Sequence, residues 1–289
     1  MPFNKARKLA HEWETRRKNQ QWITLLENHL KTTDPILVVH QMGRAGSMTT
    51  VNTLRDAGIS VPIYHTHWLN PVSVAERLDW LKGVPEKRYP LNARVARLLA
   101  EEIRKNGTTH RPWKLVTIFR EPVGRNVSTF FLAIDNFFDN FFKRYERGEI
   151  SLDQVRDTFL NTFRQDRVLE WFDKEIGEVF GIDVYERDFP HDAGYQIFRQ
   201  GNVDLLLIQL ERLNDCFQTA FEDFLGTKIP NLTLTHITEK DPTYSMYREF
   251  LQQVVMPSDY LEQMYSSRFA THFYRPEENQ GFIKKWSGC

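Results

Sequence analysis

The stretch His40–Leu54, HQMGRAGSMTTVNTL, follows the apolar run Ile36-Leu37-Val38-Val39. A short apolar run that ends in a glycine-bearing loop reads as a buried strand, and Ser47–Ala57 beyond it carries a helical pattern. Strand, glycine loop, hydroxyls and helix together make the shape of an anion-binding turn. Gly43 and Gly46 let the backbone turn tightly and approach a ligand. The N–H groups from Ala45 to Met48 then point into the loop at a helix N-terminus, where the helix dipole reinforces them. Ser47, Thr49 and Thr50 add hydroxyl donors, and Arg44 adds a fixed charge. The spacing Gly-x-x-Gly-Ser lacks the lysine of Gly-x-x-x-x-Gly-Lys-Ser/Thr, which counts against an ATP or GTP hydrolase. Taken alone, the loop also fits a plain strand-to-helix turn whose glycines serve packing.

Outward from this loop, apolar runs recur at Ile36–Val39, Val61–His67, Leu115–Phe119 and Val203–Leu210, and read as buried parallel strands. Helical patterns separate them at Ser47–Ala57, Val72–Leu81, Leu91–Lys105, Val123–Phe142 and Val168–Phe180. That alternation predicts an α/β layered sheet with crossover helices, in which ligands sit beyond the carboxyl ends of the strands. Residues 1–33 read as a charged N-terminal helical extension and 34–289 as the α/β domain, closed by a helical C-terminal cover in which Pro257 starts a new helix.

The 289 residues hold 38 Lys+Arg against 38 Asp+Glu, so a general polyanion or nucleic-acid binder is not expected and any anion site must be local. Cys216 and Cys289 form neither a disulfide framework nor a zinc pattern, and no run of about 18 apolar residues or signal-peptide core occurs. A cytoplasmic setting without a transmembrane segment is the expectation.

A second anion site is written in KLVTIFREPVGRNVSTFF, Lys114–Phe131. A strand ends at Phe119, Arg120 follows, and Pro122 suits the first position of a helix. On that helix Arg125 and Ser128 are three apart and share a face, with Arg120 just before it. Two guanidiniums and a hydroxyl can converge on one phosphate. Two anion sites at strand ends call for a ligand that is anionic at both ends, such as a nucleotide phosphorylated at 5′ and 3′.

Here the chain resembles the sulfotransferases that use 3′-phosphoadenosine-5′-phosphosulfate (PAPS). Arg44-Ala45-Gly46-Ser47 matches their 5′-phosphosulfate loop, and Arg120-x-Pro122-x-x-Arg125-x-x-Ser128 matches every fixed position of their 3′-phosphate motif. The chain is also similar to bacterial capsular polysaccharide synthesis and sulfotransferase-family proteins over roughly residues 34–287. The resemblance implies a P-loop-like three-layer fold with PAPS as co-substrate and no metal. It implies that Arg44, Ala45, Gly46, Ser47, Met48 and Thr49 hold the 5′ end, and that Arg120, Ser128 and Arg125 hold the 3′ end. Many relatives carry a hydroxyl where Met48 stands.

A hydroxyl acceptor must lose its proton to a base near the loop. IYHTHWL, Ile63–Leu69, supplies His65 and His67, two apart and so on one face of a strand. His67 is the first candidate base and His65 the second, or an orienting partner. Glu121 is an alternative, His40 reads as packed, and a metal site would need a third ligand. Phe130, Phe131, Phe137, Phe138, Phe141 and Phe142 read as core rather than as an acceptor pocket, and Glu211 as structural. Arg268, His272, Arg275, Lys284 and Lys285 either reach the nucleotide or form a solvated basic stretch. The expected function is sulfuryl transfer to a hydroxyl or amine of a small molecule, saccharide or lipid. The alternatives are a non-catalytic nucleotide-binding module and a small-molecule kinase or glycosyltransferase of capsule synthesis.

Overall fold

The structure, a computed structural model, describes residues 2–232 and 243–288. Five strands form one sheet: β1 (Ile36–His40), β2 (Ile63–Thr66), β3 (Trp113–Phe119), β4 (Tyr195–Gln200) and β5 (Val203–Gln209), in the order β2-β1-β3-β5-β4. All neighbours are parallel except β4, which runs antiparallel to β5 at the edge. The helices are α1 (Pro2–His29), α2 (Ser47–Asp56), α3 (Pro71–Trp80), α4 (Leu91–Asn106), α5 (Pro122–Leu132), α6 (Phe141–Glu146) and α7 (Leu152–Thr162). They continue with α8 (Glu178–Phe180), α9 (Leu213–Leu225), α10 (Thr243–Gln253), α11 (Ser258–Tyr265), α12 (Arg268–Phe273) and α13 (Pro276–Ser287).

Strand residues alternate between two buried faces, which is why the runs read as continuous apolar sequence. Ile36, Val38, Leu115, Leu205 and Leu207 face the larger core, with Leu26 of α1, Leu99 of α4 and Val127 and Phe130 of α5. Leu37, Val39, Val116, Ile118, Leu206 and Ile208 face the other, under Val51 and Leu54 of α2 and Phe217 and Phe221 of α9. Helices therefore cover both sides of the sheet. The end of α1 belongs to the larger core: Ile23 and Leu26 are buried, and Arg111 ties the chain after α1 to the body by donating to the His29, Leu30 and Thr32 carbonyls.

Two expected helices differ. Val123–Phe142 is not continuous, because α5 ends at Leu132 and α6 starts at Phe141. Between them the Asp135 carboxylate accepts from the Phe141 N–H, and Asn140 takes a left-handed conformation at φ 53°. Asp and Asn side chains that bond nearby backbone compete with the helix. Val168–Phe180 is helical only from Trp171: a 3₁₀ turn at Asp166–Val168 comes first, and the helix to Phe180 then runs unbroken but widens to a π turn at Asp173–Gly177 before its last residues, α8. The aromatic stretch packs as core: Phe130, Phe131 and Phe141 are buried, and Phe137, Phe138 and Phe142 pack against them.

The strand order sets the site. β1 pairs in parallel with β2 on one side and β3 on the other, so the order in which strands are added reverses at β1. The crevice at such a switch point is where an α/β sheet receives ligands. The Arg44 loop leaves the end of β1, His67 follows the end of β2, and α5 follows the end of β3.

Candidate active site

A cleft of about 1480 Å³ opens at these strand ends. Arg44, Ser47, Met48, Thr49, Arg125 and Ser128 line it, together with His65 and His67. Gly46 lines it as well, while Ala45 is buried beneath.

The loop backbone is shaped for this place. Gly46 caps α2 with φ 74°, and a Cβ there would meet Leu210 Cδ1 at 3.3 Å, so only glycine fits without strain. Arg44 also has φ 74°. A non-glycine residue in that region costs roughly 1–2 kcal/mol and persists where the surroundings over-determine it. What Arg44 gains is reach: its Nε donates to Ser128 Oγ at 2.8 Å, across 84 residues of sequence. The two anion motifs thus meet at one point.

Arg125 is 6% exposed, its Nε is buried without a hydrogen-bond partner, and among the described residues no carboxylate pairs with it. Its Nη1 donates only to Asn126 Oδ1, at 3.1 Å. Burial, with Arg167 nearby, pushes its pKa down to about 10. A buried guanidinium without a counter-ion is costly, and an anion in the cleft would relieve that cost.

Arg120 is placed differently from its motif partners. It does not line the cleft. Its guanidinium lies beneath Gly124, hydrogen-bonded to Tyr247 and close to Glu121 and Glu211, and these hold its pKa above the ordinary value although burial opposes them. The motif spacing predicts convergence, but these carboxylates and Tyr247 already compensate the Arg120 charge.

Glu121 is equally committed. Its Oε1 accepts from the Gly124 N–H at 2.8 Å as the cap of α5, and its Oε2 accepts from Tyr265 Oη at 2.7 Å. It lies outside the cleft lining. Glu211 accepts from the Glu121 N–H and from Tyr274 Oη, a structural role, and burial pushes its pKa up to about 6. A Cβ on Gly124 would collide with Glu121 Oε1. Glycine to alanine inside a helix ordinarily stabilises by roughly 0.5–1 kcal/mol. Gly124→Ala is instead expected to destabilise by about 1–3 kcal/mol, through loss of the cap and of the buried carboxylate's partners, as read by urea unfolding.

His67 has a defined tautomer. Its Nδ1 lies 2.8 Å from the Gln41 carbonyl, which can only accept, so Nδ1 carries the proton and Nε2 keeps a lone pair. The contact follows from the sheet, since His40 pairs with Thr66 in register and the next residues leave adjacent strand ends. Burial, with Arg125 and Arg77 adding to it, pushes the imidazole down to about 4. The His65 ring meets that of His67 edge-on at 4.6 Å, and burial, then His67, hold it neutral too. His40 is fully buried against Trp171, and burial pushes it down to about 3. Among the described residues no cluster of three His, Cys, Asp or Glu side chains could hold a metal ion.

These shifts have a signed consequence. His67 is neutral when folded but protonates near 6.5 when unfolded, so between about pH 6.5 and 4 the unfolded chain binds more protons. Its contribution is fully present above 6.5 and is lost as pH falls to about 4. Glu211 acts in the opposite sense between 4.5 and about 6. The unfolding free energy of His67→Gln should therefore vary less steeply with pH than that of the wild type from 6.5 to 4. Parallel profiles would show that His67 is not held neutral.

Several cleft residues escaped the sequence reading. Glu175, 2% exposed on the π turn, accepts from the Leu69 N–H at 2.6 Å and the Asn70 N–H at 2.9 Å, and so anchors the segment that follows His67. Trp68 packs edge-on against His67, and Arg77 lies over Trp68 and Trp80. The i, i+3 spacing of Arg77 and Trp80 on α3 was the available signal. The C-terminal basic residues lie outside the cleft lining: Arg275 pairs with Asp192 at 2.6 Å, Arg268 sits over Tyr185, and His272 packs on Tyr185 and Phe273. Lys284 and Lys285 belong to α13. No described helix is long and apolar enough to cross a membrane.

No curated protein and no solved structure matches the chain. The NKWYS family, described as "Putative capsular polysaccharide synthesis protein", matches residues 150–275, under half of the chain. That stretch carries the cleft residues from Phe163 to Glu178, while the Arg44 loop and the Arg120–Ser128 motif lie before it.

Proposed function

We propose that this chain is a PAPS-dependent sulfotransferase on a P-loop-like fold, and that its acceptor is a saccharide hydroxyl. The observation that carries the reading is the Arg44–Ser128 hydrogen bond, which joins both anion motifs on the cleft that His67 lines. The capsular polysaccharide description of the matching family supports a saccharide acceptor.

The donor nucleotide fits the residues present. The loop N–H groups, Ser47 and Thr49 suit the 5′-phosphosulfate, and the unpaired Arg125 with Ser128 suits the 3′-phosphate. When bound, PAPS supplies an activated sulfuryl group. Its S–O bond to the 5′-phosphate breaks as a bond to the acceptor oxygen forms, and the electron pair leaves on the phosphate oxygen. His67 Nε2 takes the acceptor proton, and the Gln41 carbonyl keeps the ring oriented through Nδ1. Arg44, at the loop, stabilises the charge that develops on the departing phosphate. Positioning and electrostatics dominate a loose transfer of this kind.

The test is calorimetry with adenosine 3′,5′-bisphosphate against AMP. Binding of the bisphosphate at least ~10-fold tighter is expected from one additional charged contact of about 1.5–3 kcal/mol. Equal binding of the two would end the PAPS reading.

A further inference from the structure

The cleft, at about 1480 Å³, exceeds the roughly 300–1,000 Å³ usual for a single small-molecule site, and the wall leading away from His67 has its own chemistry. The His67 ring packs on Trp68 at 5.3 Å. Arg77 sits over Trp68 at 5.1 Å and over Trp80 at 4.6 Å, so one guanidinium is held against two indoles. Trp80 remains 64% exposed at the outer end. Trp68, Arg77 and Trp80 all line the cleft and form a continuous track from His67 outward.

Arg77 differs from Arg167 and Lys174, which also line the cleft. Arg167 pairs with Glu76 at 2.9 Å, and Lys174 pairs with Glu170 at 2.6 Å. Among the described residues no carboxylate stands within ion-pair distance of Arg77, and its Nε is buried without a hydrogen-bond partner. Burial lowers its pKa. A half-desolvated guanidinium that lacks a counter-ion, and whose rotamer is fixed by two aromatic faces, is pre-organised for a planar anion such as a carboxylate. Indole faces suit the C–H faces of a pyranose, because they offer a large rigid apolar area with little entropy to lose. Carboxylate recognition and pyranose stacking on one track describe an acidic sugar.

Building on the sulfotransferase reading, we propose that Trp68, Arg77 and Trp80 form the acceptor subsite and select a uronate-bearing saccharide. The carboxylate engages Arg77 while a ring stacks on the open face of Trp80, and the hydroxyl to be modified is left at His67. Arg77 is then a specificity-determining residue, distinct from the anion cluster around Arg125.

The test uses the full chain without nucleotide. Tryptophan fluorescence and calorimetry would compare hyaluronan and galacturonate tetrasaccharides with neutral maltotetraose, in wild type, Arg77→Gln and Trp80→Ala. The wild type should bind at least one acidic tetrasaccharide about 10-fold or more tightly than the neutral one, the scale of one charge-assisted bidentate contact. Arg77→Gln should erase that preference, and Trp80→Ala should weaken acidic and neutral sugars alike. Adenosine 3′,5′-bisphosphate affinity should be the same in Arg77→Gln as in wild type. Equal affinity for acidic and neutral sugars, or binding of neither, overturns the proposal. So does weaker nucleotide binding by Arg77→Gln, which would assign Arg77 to the donor side. The outcome stands apart from that of the nucleotide test. Acid-selective sugar binding without bisphosphate preference would keep the subsite and remove PAPS, and the reverse result would keep PAPS and remove the subsite.

Discussion

His67→Ala is expected to lower turnover by about 10²–10⁴-fold, the usual contribution of a positioned general base, with nucleotide affinity nearly unchanged. The expectation rests on the tautomer, because Nδ1–H donates to the Gln41 carbonyl and leaves Nε2 as the basic nitrogen beside the loop. The pH profile supplies an independent check. The acid limb of kcat/KM reports the free enzyme, so it should fall near pH 4 rather than near 6.5, because burial, Arg125 and Arg77 depress the imidazole. His65→Ala should do less, since its ring meets His67 edge-on and its Nε2 is buried. Turnover is read as release of adenosine 3′,5′-bisphosphate from PAPS in the presence of pooled saccharides. Full turnover in both variants would exclude a histidine base. Glu121 could not readily take over, because its carboxylate is held by Gly124 and Tyr265 outside the cleft lining.

Arg125→Met should separate binding from stability. Methionine keeps much of the apolar volume and removes a buried charge that has no carboxylate partner among the described residues. Replacing such a charge by an apolar side chain is often neutral or stabilising. The unliganded variant should therefore unfold at the same urea concentration as the wild type or a higher one. Its affinity for adenosine 3′,5′-bisphosphate should fall by at least ~10-fold, and its preference for that nucleotide over AMP should shrink. Arg120→Ala should show the opposite pattern, costing stability first, since it strips Glu121 and Glu211 of a neighbouring cation. Unchanged nucleotide affinity in Arg125→Met would place the 3′-phosphate elsewhere.

Much of the frame follows from local sequence. Ile36–Val39, Val61–His67, Leu115–Phe119 and Val203–Leu210 announce the four parallel strands, because a strand buried on both faces must be apolar at nearly every position. The Arg44 loop and Pro122 mark the strand-to-helix junctions for equally local reasons, left-handed backbone in one and a fixed φ in the other. β4 was not legible. It is an edge strand with one buried residue, Phe198, and its alternation is too weak to stand out. The helix expected at Val123–Phe142 gave way where Asp135 made another bond, and the one expected at Val168–Phe180 starts at Trp171 and carries a π turn that periodicity does not mark.

The site itself divides the same way. Residue types and spacing single out Arg44, Arg125, Ser128 and His67 as candidates, because those motifs are contiguous in the chain, and all four line one cleft. Which arginine faces the cleft was decided by the tertiary structure, since Glu211 and Tyr247, each distant in sequence, already surround Arg120. The protonation state of His67 was decided there as well. It depends on burial and on a carbonyl from a neighbouring strand end, and neither quantity exists until the sheet has brought β1 and β2 into register.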